Sequence, residues 1–140
     1  MAIKPTARVL KTTSKPSKGA LSTAGLQAFF NIANDWGLRT EEQLTLLGEP
    51  ARSTFFKWKS RPDTADLKRD TLERLSYILG IYKALQILLP APAAADAWVR
   101  KPNTARPFGG KSALERMLGG NVADLLVVRQ YLDSQRGGWA

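Results

Sequence analysis

Tyr77, Ile78, Leu79, Ile81, Tyr82, Leu85, Ile87, Leu88 and Leu89 fall on one stretch that, wound as a helix, is apolar nearly all the way round. A helix without a polar face must be enclosed by other elements or shared with a partner. Asp70 and Glu73 have capping-box spacing just ahead of it, which predicts a helix over 71–89. In a chain of 140 residues, 44% of them hydrophobic, one enclosed helix of that length organises the core. So small a core also makes the apolar surface a candidate dimer interface.

The remaining segments read as shorter helices. Ser22-Thr23 can cap a helix whose face holds Leu26, Phe29, Phe30 and Ala33, closed by Trp36 and Gly37. Thr40, with Gln43 three residues on, predicts a second helix ended by Gly48, with Leu44 and Leu47 facing inward. Pro50 opens a third over 51–60, and Arg61-Pro62 stops it. After Pro90-Ala91-Pro92, the clearest boundary, a short helix around 93–100 holds Trp98 and Val99. Ser112 with Glu115 opens another, which Gly119-Gly120 ends, and Leu125, Val128 and Leu132 share the face of a last helix over 121–136. No pair of alternating segments supports a hairpin. The fold class is all-α, divided into a basic arm at 1–20, a first domain at 21–90 and a second at 91–140.

Charge narrows the partners. The formal net charge is +9, and Lys4, Arg8, Lys11, Lys15 and Lys18 place five of those charges in the first twenty residues without one acid. A basic arm on a nearly balanced body suits a polyanion, although a solubilising leader would read the same way. The arm lacks the apolar stretch of a secretory signal, and no run approaches the roughly 20 apolar residues of a membrane span. The expected location is cytoplasmic.

Chemistry is constrained by what is missing. With no Cys and no His, disulfides, thiolate nucleophiles, zinc-thiolate sites and the commonest general base are all excluded. Asp63 with Asp66, and Asp70 with Glu73, are carboxylate pairs, but each lies where a turn or helix start calls for an acid. Gly109-Gly110-Lys111-Ser112 imitates the end of a phosphate-binding loop, yet Ala105 stands where that motif needs Gly and no strand precedes it. No nucleophile–base set emerges, so the chain is read as a non-enzyme without cofactor or metal.

The informative stretch is 40–60, where two short helices flank Gly48-Glu49-Pro50 with the length and punctuation of a helix-turn-helix. Its second helix offers Arg52, Ser53, Thr54, Lys57 and Lys59 on the outer side, while Phe55 and Trp58 face the core. Arg52, Ser53 and Thr54 occupy the end that reaches bases, and Lys57, Lys59, Arg61, Lys68 and Arg69 suit phosphates. A plain helical hairpin with a solvated basic face is the alternative. At the other end, Gly137-Gly138 releases Trp139 and Ala140 from the last helix. That tail is either frayed or an aromatic anchor for a partner's pocket.

The run Ala97-Trp98-Val99-Arg100-Lys101-Pro102-Asn103, followed by Phe108-Gly109-Gly110-Lys111-Ser112-Ala113-Leu114-Glu115 and a Val-Leu-rich helix, resembles the C-terminal toxin-binding region of Xre/MbcA/ParS-type antitoxins. Leu47-Gly48 and Ser53-Thr54-Phe55-Phe56-Lys57-Trp58 are similar to that family's Xre-like helix-turn-helix, so the resemblance spans about 21–140. Ala113 departs from it, since members often carry Pro there. The resemblance implies a cognate RES-domain toxin that consumes NAD or uses it to modify a protein. It further implies that Arg136, Gly137, Gly138, Trp139 and Ala140 plug the toxin, that the complex represses its own operon by binding operator DNA, and that members form homodimers. A stand-alone repressor of the Cro type, needing no toxin, is the competing reading.

Overall fold

The computed structural model describes residues 18–136. Seven α-helices occur among them: α1 (Lys18–Asp35), α2 (Thr40–Leu46), α3 (Arg52–Ser60), α4 (Arg69–Leu88), α5 (Pro92–Ala97), α6 (Ala113–Met117) and α7 (Val122–Gln135). Short 3-10 turns at Pro62–Thr64 and Trp98–Arg100 follow α3 and α5. The only extended pairing among the described residues is an isolated bridge between Pro102 and Ser112. The all-α expectation holds.

α4 is the enclosed element its composition demands, and its cover comes from the same chain. It packs on α7 along one side and on α1 along another, with α5 folded back over its end. Ile78, Ile81 and Leu85 from α4 meet Leu125, Val128 and Leu132 from α7, all six fully buried. Each contributes about 2 kcal/mol of burial. Gly80 allows the approach, because any Cβ there would overlap the Arg129 guanidinium that lies across it from α7. The apolar surface of 77–89, a candidate dimer interface by its sequence, is therefore largely covered by α7 and α1, and Ile87 is the large apolar side chain of α4 left exposed.

Several helix starts differ from their expected positions. α1 opens at Lys18, so Ser22 is an interior position, fully buried, and the Thr23 hydroxyl donates back to the Gly19 carbonyl at 3.0 Å. α2 uses the register one residue earlier: the Glu42 carboxylate accepts from the Arg39 backbone N–H at 2.8 Å. Gln43 instead donates to the Leu38 carbonyl at 2.9 Å. Asp70 does not cap α4 but pairs with Arg74 at 2.9 Å, and Glu73 accepts the Tyr77 hydroxyl at 3.0 Å. The box ahead of α6 forms as expected, with Glu115 N–H on Ser112 Oγ at 3.1 Å and Ser112 N–H on Glu115 Oε1 at 3.0 Å. At the start of α7 the Asp124 carboxylate accepts from the Asn121 backbone N–H at 3.1 Å, while Asp124 N–H bonds the Asn121 backbone carbonyl at 3.0 Å.

Candidate nucleic-acid interface

α2 and α3 are joined by a turn in which Gly48 has φ +90° and Glu49 φ +62°. Glu49 N–H bonds the Leu44 carbonyl at 2.8 Å, and its carboxylate accepts from the Thr45 hydroxyl at 3.0 Å, which holds the second positive-φ residue in place. A side chain at Gly48 would fail twice, through backbone strain and through collision with the Arg74 Nε at 2.9 Å. Arg74 itself is buried. It bonds Asp70 and, through Nη2, the Gly120 carbonyl at 3.0 Å, so the turn leans on the loop ahead of α7.

The inner face of α3 is fixed by aromatic packing. Phe55 is fully buried and meets Phe30 edge-on at 5.7 Å, while Phe30 meets Phe29 at 5.5 Å. Trp58 is half-buried beside them. Of the residues expected at DNA, Arg52, Ser53, Lys57, Lys59, Arg61, Lys68 and Arg69 are exposed. Thr54 differs: it is half-buried and lines a groove of about 600 Å³ between α3 and the start of α4. Lys57 and Lys68 border that groove together with Asp66 and Asp70, so its charge is mixed. Lys59 lies on the opposite flank, near Gly37 and Gln43.

Arg52 is already engaged. Its Nη1 donates to Glu41 on α2 at 2.9 Å, and its guanidinium sits over the Phe56 ring, 5.9 Å from the centroid. The hydrogen bond from Arg52 holds the Glu41 carboxyl below its ordinary range. Phe56, which the sequence reading left out, is 45% exposed on this face. Its signal was available, since Arg52 and Phe56 stand four apart and so share one side of a helix.

The C-terminal half is wired to this unit by a second arginine. Arg100 donates through Nε to the Trp36 carbonyl at 3.2 Å and through Nη2 to the Gly37 carbonyl at 2.8 Å. The same Nη2 lies 3.3 Å from Glu42 Oε1. Burial pushes the Glu42 carboxyl up, but the Arg39 N–H and Arg100 outweigh it and hold the group below its usual value.

Beyond Arg100 the chain folds over Asn103. Gly110 N–H bonds the Asn103 carbonyl at 2.8 Å, and Asn103 N–H bonds the Lys111 carbonyl at 3.0 Å. This loop closes on itself through its backbone and leads into the Ser112 cap. Trp98, Phe108 and Tyr131 cluster beside it, with Trp98 stacked on Tyr131 at 6.4 Å. Arg136 is exposed at the end of α7, and Gly137, Gly138, Trp139 and Ala140 lie outside the described residues.

Asp63 and Asp66 are exposed without a third carboxylate to work with, and no group of three or more acidic, His or Cys side chains gathers among the described residues. No described helix is long and apolar enough to cross a membrane.

Residues 16–80 match the family model of the antitoxin Xre-like helix-turn-helix domain, and residues 84–138 match that of the antitoxin Xre/MbcA/ParS C-terminal toxin-binding domain. The chain is also 52% identical over 129 residues to "Uncharacterized protein y4oB" of Sinorhizobium fredii (strain NBRC 101917 / NGR234), covering 92% of this chain and 97% of that protein. No solved structure matches.

Proposed function

Since the chain belongs to the Xre-type antitoxin family, we propose that it neutralises a cognate RES-domain toxin and represses its own operon. In this reading the toxin consumes NAD or uses it to modify a protein, and the antitoxin's C-terminal region covers the toxin's active site. The tail from Arg136 through Trp139 and Ala140 enters that site, and α3 enters the major groove of operator DNA. The chain acts without catalysis of its own, in the cytoplasm, as a homodimer whose contacts include the exposed Ile87.

The observation that carries the reading is the union of the two matched regions in one folded unit, where Arg100 and Arg74 each bond residues or turns of the other half. A dedicated repressor of the Cro type has no use for a toxin-binding half bonded to its DNA-binding half.

Co-purification of the tagged protein with the products of its neighbouring genes tests this. A stoichiometric partner, silent in the complex and NAD-consuming once separated, is the expected result. Deleting residues 136–140 should then weaken neutralisation while operator binding survives. The absence of any partner, beside salt-sensitive and sequence-preferring DNA binding, would leave the stand-alone repressor. Loss of both activities on deletion would refute the assignment of the tail.

A further inference from the structure

We propose that Phe56 and Arg52 together read a thymine followed by a guanine, a 5′-TG-3′ step, in the major groove. The proposal rests on the DNA-binding reading of α3 and specifies what that helix selects.

Phe56 is an anomaly on an otherwise polar face. It is 45% exposed although Phe55, its neighbour, is fully buried. The two rings meet edge-on at 5.1 Å and 76°, so the buried ring braces the exposed one and holds it outward. Its helix is mainly cationic, with Arg52, Lys57, Lys59 and Arg61 exposed on or next to it and Glu41 of α2 as the acid paired to Arg52. An occupant of this surface must offer negative charge and one apolar feature at the same time. The major groove does so: phosphates line its edges, and the thymine 5-methyl is the apolar group on its floor.

Arg52 supplies the second half of the step. Its guanidinium lies over the Phe56 ring and donates to the Glu41 carboxylate at 2.9 Å. The fork is thus held beside an aromatic face, paired with an acceptor it can exchange. Guanine presents O6 and N7 to such a fork as a bidentate acceptor pair. The 5-methyl of a thymine on the 5′ side of that guanine projects next to the same acceptors, within reach of the ring that Arg52 covers. Ser53, adjacent and exposed, carries no such preference, because a hydroxyl donates and accepts alike.

The full-length protein, with any co-purifying partner retained, is used to select its preferred duplex from a randomised pool. Each thymine of that duplex is then replaced singly by deoxyuridine, which removes only the methyl, and each guanine by 7-deazaguanine, which removes only N7. Deoxyuridine at one position per half-site should weaken binding about four-fold, the value of one buried methyl. In Phe56→Ala that position becomes insensitive, and Phe56→Leu keeps part of the sensitivity. 7-Deazaguanine at the next base should cost about ten-fold, as expected for a lost charge-assisted hydrogen bond, and the effect should vanish in Arg52→Ala.

Sharp selection with every thymine methyl dispensable overturns the thymine assignment and leaves the DNA reading intact. A change of oligomeric state in Phe56→Ala, with methyl sensitivity unchanged, makes the ring a contact between copies and also overturns it. Binding without sequence preference removes base readout by α3 and this proposal with it, and no binding to any duplex removes the DNA reading as well. Matched thermal melts of the Phe56 and Arg52 variants keep a folding defect from imitating any of these results.

Discussion

Replacing Arg100 by Ala should loosen the join between the two halves by an amount the geometry allows to be worked out. The substitution removes donors to two carbonyls that end α1, Gly37 at 2.8 Å and Trp36 at 3.2 Å, and one contact to Glu42 at 3.3 Å. A hydrogen bond from a charged donor contributes about 1.5–3 kcal/mol when sheltered. The Arg100 side chain is 46% exposed, so solvent screening lowers each contribution to about 1 kcal/mol or less. The total comes to about 2–3 kcal/mol, or a fall in melting temperature of roughly 8–12 °C for a domain of this size. Urea unfolding of the wild type, Arg100→Ala, Glu42→Gln and the double variant supplies the full cycle, with a coupling of about 0.5–1 kcal/mol expected. The coupling should depend on pH. The folded Glu42 carboxyl titrates below its ordinary 4.5, so its contribution is present above 4.5 and is lost as the pH falls through the lower folded value. Arg100→Ala within 0.5 kcal/mol of wild type at pH 7, or a coupling that does not weaken as the pH is taken down from 4.5, would refute the clamp.

Three further outcomes follow from other sites. Gly48→Ala should cost about 2–4 kcal/mol, since it combines positive-φ strain with displacement of the Arg74 side chain; a urea midpoint equal to wild type would contradict it. Ser112→Ala removes the hydroxyl that caps α6 and should cost about 1 kcal/mol, whereas Ser112→Asp should recover most of it in the same melts. The Tyr82 hydroxyl donates to Asp35 at 2.8 Å, which pushes its pKa up to about 12. A raised folded pKa means the bond stabilises fully below the unfolded value near 10 and fades as the pH climbs from 10 through 12. The stability difference between wild type and Tyr82→Phe should therefore shrink across that window, and a difference that stays constant would show that the bond contributes nothing.

What could be read in the sequence, and what could not, divides by the range of the interaction. Ser112 and Glu115 satisfy one another three residues apart, and nothing distant competes for either, so the box ahead of α6 was legible. At the start of α2 the local rule pointed to Thr40 with Gln43, whereas the structure pairs Glu42 with the Arg39 backbone N–H, a register whose Arg side chain cannot cap. In that register Glu42 also receives Arg100 from a position 58 residues away, and no local rule contains that bond. Asp70 was drawn from a cap to an ion pair in the same manner, because Arg74 is needed inside to bond Gly120. The apolar all-round character of α4 announced that the helix would be covered. Most of that cover is supplied by α7, whose own apolar face arrives more than thirty residues later, and Ile87 stays exposed. The candidate interface repeats the lesson at the scale of adjacent residues. Phe55 and Phe56 are the same residue type side by side; the three-residue spacing from Phe55 to Trp58 turns Phe55 inward in the sequence but gives Phe56 no place. Packing against Phe30 takes Phe55 inward, and helical geometry then leaves Phe56 outward beside Arg52. A pair of identical residues is thus converted, by one distant aromatic contact, into one residue that holds the fold and one that is free to meet a ligand.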